Sequence, residues 1–454
     1  MFVASHCPAA VYRSVMIEDV PHIKQKPDFC GEACAAMWIQ KQGHDVTQDD
    51  VFNASGLDPL AARGCHSADL VKGLRALNVK VGDVWYRSRP GKGGEVQWLA
   101  LHHDLTRGIP SIVCMRTSEG PNATEHFRLI LGYDAATDEV VYHEPAEKNG
   151  AEHRMKRATL FRLWPLKYGA EEWTRVRIAL DAARARVPKR ATGHSAADYA
   201  QHVMGLKKRL PSNKFSIALS MPFVVIGDEP PERVAHHATN TIAWAVRHLK
   251  AMYFERDPAE IMEIWLFKDK ASYEKHTWEV FRERPTTPFG YNSANHNALI
   301  MNIATGGGTL VHEIVHPFVA ANFPACPAWF NEGLGSLYEQ CSGRDSQIVG
   351  LTNWRLNGLK VAIAQKRLPS FRALMSTTTH AFYRPPSGLN YAQARYLLYF
   401  LQEKGLLVKY YNAFREAHAD DPTGYDTLQS VLGTKDLAVF QKRWEVYVLL
   451  LKYP

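Results

Sequence analysis

Residues His22–Met37 read H-I-K-Q-K-P-D-F-C-G-E-A-C-A-A-M. A polar run with a Pro-Asp break turns at Gly31 into an apolar-faced helix, expected over Gly31–Gln40 and ended by Gly43. Cys30 stands where turn gives way to helix, so the dipole of the helix N-terminus is expected to lower its thiol pKa. Gln25, five residues earlier, is placed to give its side-chain amide to an oxyanion that the Cys30 backbone N–H also holds. A thiol nucleophile needs a base, and His126 opens the strand-like H-F-R-L-I-L-G-Y-D farther along. The following V-V-Y-H-E-P offers Glu144 as the carboxylate that orients it. Cys34 lies one helical turn beyond Cys30, with no Gly turn and no Gln before it.

The surroundings of this stretch read as an α+β domain. A second helix is expected over Ser67–Leu77, where Ser67 caps and Leu70, Leu74 and Leu77 share a face. Ile112–Met115, Phe127–Tyr133 and Val140–Tyr142 are short and rich in β-branched and aromatic residues, with a polar turn at Asp134–Asp138. Helices first and strands later is the α+β order.

The sequence Gln25, Cys30, His126, Glu144 resembles papain-like cysteine peptidases, and most closely the bacteriocin leader-processing family. Its marks are Q-x-x-x-x-C-G-x-A-x-x-x-M, H-F-x-x-x-x-G-Y-D and an acid-Pro pair, which here span Gln25 to Pro145. Ser67–Val81 is similar to the second helix of that family. The acid before the proline is usually Asp there and is Glu144 here. The resemblance implies a papain-like fold that hydrolyses peptides, with Cys30 as nucleophile, His126 as proton shuttle, Glu144 as orienting acid and Gln25 at the oxyanion. Acyl transfer and side-chain deamidation run on the same fold.

A second constellation lies at Thr309–Val319, T-L-V-H-E-I-V-H-P-F-V. His312 and His316 are four apart, so on a helix both imidazoles leave one face and can grip a single Zn2+. Glu313 beside them is placed to take a proton from water activated by the metal. Pro317 removes the helical bond to the Glu313 carbonyl and opens the way to a kink. The next histidine, His380, is remote, and no Asp or Glu intervenes before Glu332 in P-A-W-F-N-E-G-L-G-S-L-Y-E. Cys326 falls in that interval, but a thiolate would lower the Lewis acidity of the metal, so Glu332 is the expected third ligand.

This constellation resembles the gluzincins, the thermolysin-like zinc metallopeptidases, in the bacterial families with W-x-x-E-G at this point. The resemblance covers roughly Phe223 to Leu401. It implies a zincin-like, mainly helical domain with a small sheet, in which Gly290–Asn302 is the edge strand that binds substrate backbone. Tyr391, at the start of an apolar-faced helix, is similar to a Tyr that faces the oxyanion in these families.

The boundaries follow from composition. A papain-like domain is expected over 17–182, a basic linker with a short helix near Ala196–Lys207 over 183–212, and the zinc domain over 213–454. In that last part strands at Phe223–Ile226 and Met262–Phe267 flank a helix from Glu232 to Phe254. Two or three strands are expected there, followed by a bundle whose clearest helices are Gln393–Glu403 and Leu428–Lys452. The 454 residues carry a net charge of +8 and are 46% hydrophobic, a mild basic excess with no stripe of interleaved aromatics for nucleic acid. No apolar run reaches the ~18 residues of a membrane span. The first residues lack the pattern of a signal peptide, so a cytoplasmic location is expected, with export only if the chain starts elsewhere, as at Met16. Seven scattered cysteines exclude a dense disulfide framework and leave one isolated bridge open, Cys326 to Cys341. The expected partner is a peptide or protein substrate, and the expected activity is peptide hydrolysis at two sites. Two readings remain beside it: a zinc peptidase whose first domain only binds peptide, and a scaffold in which zinc is structural.

Overall fold

Strands Ser111–Arg116 and Glu125–Asp134 are buried along almost their whole length, because each face of their sheet is covered. The computed structural model describes residues 12–89, 91–168, 172–181, 184–190, 192–285, 287–345 and 347–453. Contacts divide the chain after Lys208 into two compact units, each mixing helices with a sheet.

In the first unit side chains alternate across the sheet with the period of two that a pleated strand dictates. Ile112, Cys114, Phe127, Leu129 and Leu131 pack with the helices Cys30–Lys41, Gln48–Ser55 and Ser67–Ala76. Val113, Met115 and Ile130 turn the other way, towards Trp98, Leu101 and Leu105 of the helix Gly94–Thr106 and towards Leu160 and Trp164. The strand order is Trp85–Ser88, Trp173–Ala179, Ser111–Arg116, Glu125–Asp134, Glu139–His143, His153–Lys156, with every pairing antiparallel. Val15–Met16 and Leu166–Lys167 pair at the side of this path. The sheet is therefore wider than the three strands expected.

The expected linker is largely part of this unit. Ser195 and Asp198 form a capping box on the helix Ala196–Lys207. Ala197 N–H donates to Asn53 Oδ1 at 2.8 Å, Gln201 Nε2 donates to the Pro27 carbonyl at 2.9 Å, and Ala197, Ala200 and Met204 enter the core. Apolar positions at helical spacing, hidden in a basic composition, explain the difference. The expected boundary at 182 and 183, and the first eleven residues with Cys7, lie outside the described residues.

The second unit carries a five-stranded sheet in the order Gly290–Ser293, Ala298–Asn302, Met262–Phe267, Phe223–Gly227, Ser216–Ser220. The three inner strands are parallel and the two outer ones antiparallel to their neighbours. Gly290–Asn302 is thus a hairpin, in which only Gly290–Ser293 forms the edge. The long helix expected from Glu232 is interrupted by a π-helical turn at His237–Ala243. The helix expected over Leu428–Lys452 is two helices, Tyr425–Leu432 and Leu437–Leu450, parted at Gly433 with φ 62°. Pro317 lies inside the helix Gly307–Asn322, which continues through it. Cys326 and Cys341 are both free thiols, so the bridge left open is not formed.

One glycine of the first unit fixes a close approach, and a second is its control. A Cβ on Gly64 would stand 1.8 Å from the Asp28 carbonyl oxygen, whereas one on Gly205, inside the helix Ala196–Lys207, would meet nothing within 4 Å. Gly64→Ala is therefore expected to lower the stability of the first unit by about 1–3 kcal/mol, and Gly205→Ala to raise it by ~0.5–1 kcal/mol. Urea unfolding of the two variants, followed by circular dichroism, reads both signs.

Candidate active sites

Cys30 is the first residue of its helix, and its N-cap, Phe29, supplies no side-chain bond. The thiol lines a cleft of about 430 Å³ together with Cys65, His66, Cys114, Glu125 and Tyr168. Two acids pin one wall of that cleft: Asp28 Oδ2 accepts from Gly64 N–H at 2.8 Å and Glu32 Oε1 from Cys65 N–H at 2.7 Å. Burial raises the Glu32 carboxyl to about 7. Burial also pushes the Cys30 thiol up to about 11, over the opposing pull of the Phe127 and Gly31 N–H groups, and Glu32 and Asp28 add to the rise. The expected lowering by the helix dipole is thus overturned. Desolvation and two nearby carboxylates outweigh the dipole.

His126 and Glu144 do meet. His126 Nε2 and Glu144 Oε1 are 2.5 Å apart, and Arg128 Nε donates to Glu144 Oε2 at 2.7 Å. Ala146 N–H gives Glu144 Oε1 a third contact at 3.0 Å. Burial works against the charge on Glu144, but His126 and Arg128 overcome it and hold the carboxyl at about 2. Gln25 is tied in by its backbone, whose N–H donates to the Pro145 carbonyl at 2.9 Å, and its side-chain Oε1 is buried without a partner. Cys30 joins the group through the N–H of Phe127, next to His126. Among the described residues no hydrogen bond links Cys30 to His126 itself. Arg128 was not anticipated, although its position two along from His126 on a strand carries the signal.

In the second unit His312, His316 and Glu332 converge, with one potential ligand atom from each within 4.8 Å of the others. Glu332 Oε2 lies 3.2 Å from His312 Nε2, and Oε1 lies 3.9 Å from His316 Nε2. Cys326 is not in this cluster. The glycines of N-E-G-L-G make the approach of the helix Ala328–Leu337 feasible. A Cβ on Gly335 would crowd the His312 ring at 3.1 Å, and one on Gly333 would crowd Ala394 at 3.1 Å.

Around the trio stand groups that sequence reading missed. Glu339 Oε1 lies 3.3 Å from His312 Nδ1 and is held by Arg355 at 2.6 Å. Asn331 Oδ1 meets His316 Nδ1 at 3.0 Å, and Tyr383 donates to Glu332 Oε1 at 2.5 Å. Tyr391 also faces Glu332, and burial and that charge raise its hydroxyl pKa. The neighbour position of Asn331 was a usable signal, but nothing in the sequence marks Tyr383. Burial opposes charge on His312, yet hydrogen bonds to Glu332 and Glu339 raise it to about 10. Glu313 is pushed upward by burial first, against the pull of both histidines. Two imidazoles and the Glu332 carboxylate form a donor set that suits a divalent cation.

Residues 17–170, about a third of the chain, match the family described as "Peptidase_C39 like family". No curated protein matches the chain. The match makes a cysteine peptidase the counterpart of the first unit and peptide hydrolysis its indicated activity. No helix among the described residues is long and apolar enough to cross a membrane.

Because Glu144 is held below the ~4.3 of a free glutamate, its links add stability that is fully present above that range and is lost as the pH falls towards about 2. Glu144→Gln is expected to cost on the order of 3 kcal/mol at neutral pH. The gap to the wild type should close on acidification in urea titrations, and a gap independent of pH would remove the charge from Glu144.

Proposed function

We propose that the chain is a bifunctional peptidase, with a thiol site in the first unit and a zinc site in the second. The observation that supports the thiol site is the buried Glu144 bonded to His126, inside the stretch that matches the cysteine-peptidase family. Glu144 takes the His126 Nε2–H, which leaves Nδ1 as the nitrogen that receives a proton. Since the resting thiol is protonated, the Cys30 proton passes to His126 as sulfur attacks the peptide carbonyl carbon. The oxyanion that forms is received by the Cys30 N–H and the Gln25 amide. Collapse breaks the C–N bond, and His126 returns the proton to the leaving amine. Water then cleaves the thioester with the same imidazole as base.

The reading of the second unit is supported by the convergence of His312, His316 and Glu332. These three would hold the ion, and zinc there would supply a Lewis acid that polarises a carbonyl and acidifies water. Glu313, raised by burial, is the proton acceptor, and the hydroxyls of Tyr391 and Tyr383 are the donors available to an oxyanion. Glu339 and Asn331 fix the orientation of the two imidazoles through their second nitrogens. A structural zinc is normally closed by a fourth protein ligand. The cluster among the described residues offers three, which favours catalysis over a scaffold.

Two measurements test the sites separately. Iodoacetamide labelling with peptide mapping should modify Cys30 before the other described cysteines, at a rate still climbing near pH 10, because its thiol sits at about 11 and Cys341 at about 12. A rate that levels off by neutral pH would place a cation against the sulfur and overturn the protonated resting state. Elemental analysis should find about one zinc per chain, lost in His316→Ala. Glu313→Gln should keep the metal while chelator-sensitive hydrolysis falls by ~10²–10⁴. A wild-type protein free of transition metal would end the zinc reading.

A further inference from the structure

The helix Gly94–Thr106 begins without a side-chain cap, on the loop Gly91-Lys92-Gly93. Gly91 and Gly93 have φ of 71° and 82°, backbone that suits glycine. Among the described residues the first-turn N–H groups of Gly94, Glu95 and Val96 have no backbone or side-chain acceptor. Such a turn presents donors and a positive dipole to whatever lies in front of it. What lies there is Arg175.

Arg175 is only 4% exposed. Its Nη1 donates to Ser88 Oγ at 2.9 Å and to the Lys92 carbonyl at 3.0 Å, and its Nε has no partner. No carboxylate pairs with it among the described residues, although a buried guanidinium normally demands one. A Cβ built on Gly94 would stand 3.6 Å from its Nη2, so the missing side chain leaves open the gap between guanidinium and helix end.

These groups line a cavity of about 520 Å³ that shares no residue with the Cys30 cleft. Its other charges are accounted for: Glu95 pairs with Arg157 at 3.1 Å and Arg162 with Glu119 at 2.8 Å. Lys92 is exposed and has no ion pair among the described residues. Two uncompensated positive charges and a ring of N–H donors match a dianion better than a single carboxylate.

We propose that this cavity binds a phosphate dianion, free or carried by a small organic phosphate, between Arg175, Lys92 and the N-terminus of the Gly94–Thr106 helix. The room beside Phe161 and Trp173 exceeds what phosphate alone needs.

Calorimetric titration of the full chain with inorganic phosphate, at ionic strength held constant with chloride, should show saturable binding. Gly94→Ala keeps ordinary contact distances and a better helix former in the first turn, so the fold is retained. It should weaken phosphate about tenfold or more by filling the gap. Lys92→Gln should weaken it several-fold and flatten its salt dependence. Adenosine monophosphate in a parallel titration separates the sources: tighter binding than phosphate assigns an organic carrier, and equal binding assigns the free ion. Absence of saturable phosphate binding in the wild type, or binding unchanged in both variants, would overturn the proposal.

Discussion

A carboxylate removed from water must be met by donors or by positive charge, and each candidate site is organised by that requirement. Glu144 is met by His126, Arg128 and a backbone N–H. Glu332 is met by His312, His316 and Tyr383, and Glu339 by His312 and Arg355. Each acid thereby fixes an imidazole that rotates freely in solution. The orientation of the reactive histidines follows from satisfying the acids, and the surrounding apolar packing makes that satisfaction obligatory. Removing one partner would leave the other charged and dry, which is why such pairs are rigid.

Local chemistry of the chain carried much of this. The i,i+4 spacing of His312 and His316 on a helix, and the Glu332 that follows after an interval free of acids, describe three groups that do converge. The run from Gln25 to Cys30 and the pair His126 and Glu144 likewise describe neighbours in space. What the sequence hid depends on distance. Tyr383 reaches Glu332 across 51 residues, and no period links them. The helix expected near Ala196–Lys207 forms, but the basic composition before it hid that its buried residues, among them Ala197, Ala200 and Met204, join the first core.

Electrostatic environment was the least legible quantity. Position at a helix N-terminus argued for an acidic Cys30 thiol, and the dipole effect exists, but it is worth at most one or two kcal/mol near a helix end. Burial acts on the whole charge, and Glu32, Asp28 and the closed cleft wall lie too close. The wall itself depends on Gly64, whose close approach to Asp28 no composition reveals. Only the packed structure sets that balance.

A thiol that stays protonated is also chemically quiet towards oxidants. Peroxide and disulfides react with the thiolate, so a sulfur whose pKa is about 11 presents only a small reactive fraction at neutral pH. The three cysteines that share the cleft, Cys30, Cys65 and Cys114, can therefore stay reduced side by side. Their neighbourhood protects the nucleophile from sulfenic acid and from mixed disulfides until a bound carbonyl draws the proton away.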